Sequence, residues 1–270
     1  MDADRLKTAL ETARLAARAA GLIQKEALGA KRRIEHKGIY DLVTDVDRRC
    51  EQAVLEILAS HFPKVPVLAE ESSPHFSGAD SYWVVDPLDG TTNYARGYPL
   101  FCCSIAFIEG GRPVLGVIYE PLREELFWAQ AGLGAFLNDR PLAVSDTARL
   151  EEALLATGFP YDRLEQPETN LDRFCLLTLR CRGVRRGGSA ALDLCYTACG
   201  RLDGFWEIRL HPWDVCAGAF IVEQAGGRVT DLQGQPYDWS GKETVATNGR
   251  LHSALIAALA LPAPHGRCFG

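Results

Sequence analysis

The spacing of apolar residues changes period along the chain, and those changes outline its elements. From residue 4 to about residue 28, Ala and Leu recur at helical spacing with Arg, Lys and Glu between them, which predicts a first helix. A second begins after Thr44, an N-cap candidate followed three residues later by the carboxylate of Asp47, as in a capping box. It ends near His61-Phe62-Pro63. Residues 65–69 and 82–85 are short apolar runs that read as strands, and each stops at an acidic residue. From residue 102 to 137, β-rich segments are broken by Gly110-Gly111-Arg112-Pro113 and Glu120-Pro121 and followed by Asn138-Asp139. That turn sequence predicts an antiparallel meander and the larger sheet.

In the second half, residues 153–156 are strand-like and 168–179 helix-like. Helices are expected over 189–199 and 215–225, around a strand at 204–208. The fold class is therefore α+β, with the antiparallel sheet followed by a smaller mixed sheet and its helices. No repeat, low-complexity tract or long linker interrupts the chain. Residues 1–145 and 146–270 are expected to form two subdomains of one catalytic unit.

Composition narrows the function. With 270 residues, 47% hydrophobic and 24% charged, the chain can bury a large core as an ordinary soluble protein. A formal net charge of -6 gives no broad positive field, which speaks against nucleic acid or anionic lipid as partner. The acidic start Met1-Asp2-Ala3-Asp4 differs from a secretory signal and no stretch reaches membrane-spanning length, so a cytoplasmic protein is expected. The nine cysteines sit mostly in apolar runs such as Phe101-Cys102-Cys103-Ser104 and read as reduced core thiols. Cys195 and Cys199, four apart on a predicted helix, read as packing residues beside Leu192 and Leu194.

The densest polar signal in an apolar setting is Trp83-Val84-Val85-Asp86-Pro87-Leu88-Asp89-Gly90-Thr91-Thr92-Asn93-Tyr94. A hydrophobic strand there delivers two carboxylates into a Gly/Thr turn whose free amides can attract an anion. Carboxylates and an anion repel, and divalent cations are the simplest bridge between them. Glu70-Glu71 and the Asp214 of His211-Pro212-Trp213-Asp214 supply further hard oxygen donors. Any one of these acids alone could serve as a helix cap. Together, and without paired His or Cys, they match Mg²⁺ rather than zinc.

These residues resemble the inositol monophosphatase family of Mg²⁺-dependent, lithium-sensitive phosphatases. The resemblance runs over nearly the whole chain, through Asp41-Leu42-Val43-Thr44-Asp45-Val46-Asp47, Glu70-Glu71-Ser72, Asp86 to Asn93, Trp213-Asp214 and Ala225-Gly226-Gly227. It implies a layered αβαβα sandwich, a homodimer, and two or three Mg²⁺ ions per site. It makes Glu70, Asp86, the Leu88 carbonyl, Asp89 and Asp214 the metal ligands. Glu70, Thr91 and Asp47 become the residues that orient and deprotonate an attacking water, without a covalent phosphoenzyme. Substrate contacts fall on Leu88, Asp89, Asp214, Gly90 and Thr91, the last two holding the phosphate with their amides, and on Gly188, Ser189, Ala190 and Glu207 around the alcohol. The implied substrate is a small soluble phosphate ester such as inositol 1-phosphate. Fructose 1,6-bisphosphate, histidinol phosphate and 3′-phosphonucleotides, all hydrolysed by relatives, are the alternatives.

Departures from the pattern are small. Ala69 precedes Glu70 where many relatives have Gly, and Arg96 stands where His is frequent. Arg185 and Arg186 offer positive charge to a phosphate or to a subunit interface, and Lys37 reads as a surface lysine. Two other classes compete. Phosphatases with an aspartyl nucleophile carry Asp-x-Asp, whereas two residues separate Asp86 from Asp89. A regulatory binding module that keeps the fold would have no need of the Asp47 and Thr91 pair.

Overall fold

The computed structural model describes residues 2–29, 34–36, 42–72, 76 and 78–262. Lys37, Gly38, Asp41 and Cys268 lie outside the described residues. In chain order the elements begin with α1 (Ala3–Ala27), β1 (Ile34–His36), β2 (Leu42–Thr44), α2 (Asp45–His61), β3 (Val67–Ala69), β4 (Ser81–Asp89) and α3 (Thr91–Arg96). The meander follows as β5 (Cys102–Glu109), β6 (Arg112–Glu120), β7 (Glu125–Gln130), β8 (Gly134–Leu137) and β9 (Arg140–Pro141). The second half contributes β10 (Leu154–Thr157), α4 (Leu171–Thr178), β11 (Gly183–Arg185), α5 (Ala190–Ala198) and β12 (Gly204–Ile208). It closes with α6 (Pro212–Gln224), β13 (Arg228–Thr230), β14 (Glu243–Thr247) and α7 (His252–Leu259).

The larger sheet has the order β3-β4-β5-β6-β7-β8-β9 and is antiparallel except for the parallel edge pair β3 and β4. Its strands alternate strictly, as a sheet covered on both faces must. Trp83, Val85, Ile105, Phe107 and Val117 point to one side, into a core with the alanine stripe Ala9, Ala13, Ala16 and Ala20 of α1 and with Val54 of α2. Val84, Ala106, Ile118 and Phe127 point to the other, against Leu192 and Cys195 of α5 and Phe220 of α6. That same core includes Phe205 and Ala246 of the smaller sheet, so α5 and α6 are sandwiched between two sheets.

The smaller sheet has the order β11-β10-β12-β14-β13, with β10 parallel to both neighbours and β14 antiparallel to β12 and β13. Its outer face buries Leu155, Trp206 and Val245 against Leu177 of α4 and Leu255 of α7. Three cores, one of them spanning both faces of the α5 and α6 layer, therefore fill the four interfaces between five layers, the expected αβαβα order. Each fully buried Leu, Phe or Val in them contributes about 1.5–3 kcal/mol against its exposed state.

Several boundaries differ from expectation, for physical reasons. The strand predicted over 82–85 continues to Asp89, so both carboxylates lie within β4, where the register with β5 shifts between Asp86 and Asp89. The helix expected from residue 168 starts at Leu171, because Asn170 adopts φ 67° and cannot continue a helix backwards. The helix expected from residue 215 starts at Pro212, which supplies the fixed φ of a first helical turn. All eight described cysteines are free thiols, and no helix among the described residues is long and apolar enough to cross a membrane.

Candidate active site

The carboxylates gather where the C-terminal end of β4 meets the N-terminus of α6. Asp86, Asp89 and Asp214 each bring one carboxylate oxygen into a group whose members all lie within 4.8 Å of one another. Glu70, just past β3, lines the same cavity with Leu88, Gly90 and Thr91, although it stands outside the 4.8 Å trio. Its backbone N–H donates to the Val85 carbonyl at 3.2 Å, and the next amide, Glu71 N–H, donates to the buried Glu51 carboxylate of α2 at 2.9 Å. Those two bonds set where the Glu70 side chain begins.

Each acid is held by a local device. Asp214 occupies the third position of α6 and accepts from His211 N–H at 2.7 Å, one arm of a capping box. Asp86 accepts from Leu88 N–H at 2.9 Å across the Pro87 turn. The turn is fixed from behind by the buried Gln24 of α1, which donates to the Pro87 carbonyl at 2.8 Å. Asp89 accepts from Ser189 Oγ at 2.5 Å and from Ala191 N–H at 2.9 Å, so the start of α5 is tied to the end of β4.

Burial of these acids has an electrostatic cost that the protein alone does not offset. Removal from water pushes Asp86 well above the usual carboxylate range, and the charges of Glu70, Asp89 and Asp214 push it further. Asp214 is raised well above that range by the same burial and by Asp89 and Glu70. Asp89 is raised by burial in spite of its bonds from Ser189 and Ala191. A set of oxygen donors that mutually disfavour ionisation is what a hard divalent cation reverses, so the residues present fit Mg²⁺.

Beside the trio, Thr91 Oγ1 lies 2.8 Å from Asp47 Oδ1 and 3.0 Å from the Leu88 carbonyl. The other Asp47 oxygen accepts from Thr44 N–H at 2.9 Å and Thr44 Oγ at 2.5 Å, the expected capping box of α2. Burial raises the Asp47 carboxyl against the pull of those donors. Gly90 has φ 92°, and a Cβ there would lie 2.9 Å from the Leu100 carbonyl, so only glycine fits the start of α3.

A second cavity opens from the first and shares Asp89, Tyr161, His211 and Asp214 with it. Gly188, Ser189, Ala190 and Glu207 line this second cavity, so every residue expected to contact phosphate or alcohol falls in one of the two. Glu207 lies in β12 and burial pushes its carboxyl up to about 8, with Arg186 opposing and Asp89 adding to the shift. Arg186 lines the cavity, Arg185 is exposed on the edge strand β11, and Arg96 is exposed in the last turn of α3. Sequence reasoning missed Asp193 and Tyr161, which also line the cavity, and the supports Gln24 and Glu51.

The model of the inositol monophosphatase family matches residues 5–261. The chain belongs to that family. An inositol-1-monophosphatase of Synechocystis sp. is 47% identical over 257 residues, 94% of this chain and 90% of its own length. A fructose-1,6-bisphosphatase/inositol-1-monophosphatase of Aquifex aeolicus is 37% identical, over 94% of this chain and 96% of its own. The solved inositol monophosphatase of Anabaena sp. superposes with a TM-score of 0.88 at 46% identity, covering 97% of this chain and 98% of that one. As a member of the inositol monophosphatase family, the protein is a phosphatase that hydrolyses phosphomonoesters.

Proposed function

We propose that the protein hydrolyses inositol 1-phosphate or a similar small polyol phosphate, with two or three Mg²⁺ ions held by Glu70, Asp86, the Leu88 carbonyl, Asp89 and Asp214. The observation that carries this reading is the convergence of Asp86, Asp89 and Asp214 to within 4.8 Å, beside the Thr91 and Asp47 pair. When bound, Mg²⁺ supplies charge neutralisation for the phosphoryl group and a lowered pKa for water.

The chain's own residues then have separable tasks. Thr91 gives its one hydroxyl proton to Asp47, which leaves its lone pairs to accept a proton from the attacking water. Asp47 is fixed by Thr44 and raised by burial, so it is a better proton acceptor than an exposed aspartate. Glu70 helps to orient the same water. The amides of Gly90 and Thr91 receive the phosphoryl oxygens, which places phosphorus between that water and the alcohol cavity. Water attacks in line and the alkoxide leaves into the cavity lined by Gly188, Ser189, Ala190 and Glu207. Because no carboxylate acts as nucleophile, no aspartyl-phosphate forms.

Residues 1–145 and 146–270 work as one catalytic unit, a reading supported by a carboxylate trio drawn from both. The family resemblance supports a homodimer, which sedimentation equilibrium tests. A substrate panel at fixed Mg²⁺ tests the chemistry: phosphate release from myo-inositol 1-phosphate exceeds that from adenosine 3′,5′-bisphosphate, and the reverse order would overturn the polyol assignment. Full activity in Asp89→Asn would overturn the ligand assignment.

A further inference from the structure

The second cavity holds a carboxylate that the proposed chemistry does not use. Asp193, on α5, is 4% exposed and lines the cavity, and none of the hydrogen bonds among the described residues reaches its carboxylate. The same holds for Glu207, which is 8% exposed on β12. A carboxyl buried among protein atoms but open to a cavity is placed to take its hydrogen-bond partners from whatever the cavity holds. Here two such groups face one space. They are close enough that Glu207 raises the Asp193 carboxyl further above its ordinary range, after burial itself.

The backbone around them is shaped to admit both. A Cβ at Gly187 would lie 2.8 Å from Asp193 Oδ1, and a Cβ at Gly158 would overlap the Glu207 carboxylate. Glycine at each position leaves the carboxylate in place. Of the two arginines that line this cavity, Arg186 forms no ion pair among the described residues, and Arg209 is already engaged with Asp162. Two carboxyls without protein donors, set side by side, match a ligand rich in adjacent hydroxyls, which can both donate to them and accept from them.

We infer that Asp193 is a specificity-determining residue that, together with Glu207, hydrogen-bonds neighbouring hydroxyls on the alcohol part of the substrate. This rests on the phosphatase reading above and narrows the substrate class to monophosphates of alcohols with adjacent hydroxyls. Asp193 touches the leaving alcohol and takes no part in proton transfer or cation binding. Its burial is a stability cost retained for recognition.

The test compares Asp193→Ala and Asp193→Asn with the unaltered protein on two substrates at fixed Mg²⁺. One is myo-inositol 1-phosphate and the other p-nitrophenyl phosphate, whose alcohol has no further hydroxyl. Asp193→Ala is expected to lower kcat/KM on the inositol ester by about 10- to 100-fold, the cost of leaving a buried substrate hydroxyl without its partner, and to leave the nitrophenyl ester within about twofold. Asp193→Asn, which keeps the shape and one acceptor, is expected to lie between. Both variants should melt at or above the temperature of the unaltered protein, since no protein bond is lost. Equal loss on both substrates, no loss on either, or a fall in melting temperature for Asp193→Asn would overturn the proposal and leave the phosphatase reading intact. Absence of Mg²⁺-dependent release from both substrates in the unaltered protein would overturn the two together.

Discussion

Ser189 donates to Asp89 at 2.5 Å across 100 residues of chain, and the hydroxyl that makes this bond also caps α5 by accepting from Leu192 N–H at 3.3 Å. One side chain thus starts a helix and orients a carboxylate of the site. The N-cap of α5 is therefore part of the site's architecture.

Ser189→Ala should lose both roles. Loss of the cap costs about 1 kcal/mol, and Asp89 keeps only the Ala191 amide among its strong donors. Urea unfolding should show that loss with an unchanged m-value. Calorimetric titration should show weaker Mg²⁺ binding, whereas Ser189→Thr should restore most of both.

Thr91→Ala removes the hydroxyl that links the site to Asp47. Turnover should fall by about 10²- to 10⁴-fold, the usual range for a lost acid–base function, while Mg²⁺ affinity changes little. Thr91→Ser should recover a large part of the rate. Single-turnover kinetics at saturating substrate separates this from an effect on binding.

Glu207 makes the metal-free protein sensitive to alkali. Its carboxyl sits near 8 in the folded chain against an ordinary 4.5, so between those values the folded state holds a proton that the unfolded state has released. Stability therefore falls as pH rises through that window, and the group contributes no difference below it. Thermal melts from pH 5 to 8 should show a shallower decline in Glu207→Gln than in the unaltered protein.

Mg²⁺ should stabilise the fold more as pH rises. Burial raises the carboxyls of Asp86, Asp89 and Asp214, so protons compete with the cation at low pH and are lost as pH increases. Melting curves with and without Mg²⁺ should diverge between pH 5 and 8. Asp214→Asn should reduce the divergence.

The parts of this site legible in the sequence were those written in local code. Thr44 with Asp47 reads as a capping box and forms one, and the run from Trp83 to Asn93 reads as a strand meeting a turn. The turn residues that mark a meander between residues 102 and 137 are likewise local. What escaped depends on distance along the chain. Gln24 looks like any polar residue of an amphipathic helix, and only the fold brings it to the Pro87 carbonyl 63 positions away. Asp193 looks like a solvated helical acid until Glu207 arrives beside it from another strand. The elements β13 and β14 went unread because three- and five-residue strands have too few positions to establish a period. α7 is apolar on most sides, which erases helical contrast.

The five-layer order also divides labour. The clustered acids come mainly from the end of the large sheet, while the walls of the second cavity come from α5, β12 and the segment after β10. Replacements in those walls can retune which molecules are accepted without moving the hydrolytic apparatus. A lineage built this way can diversify its diet while its chemistry stays constant.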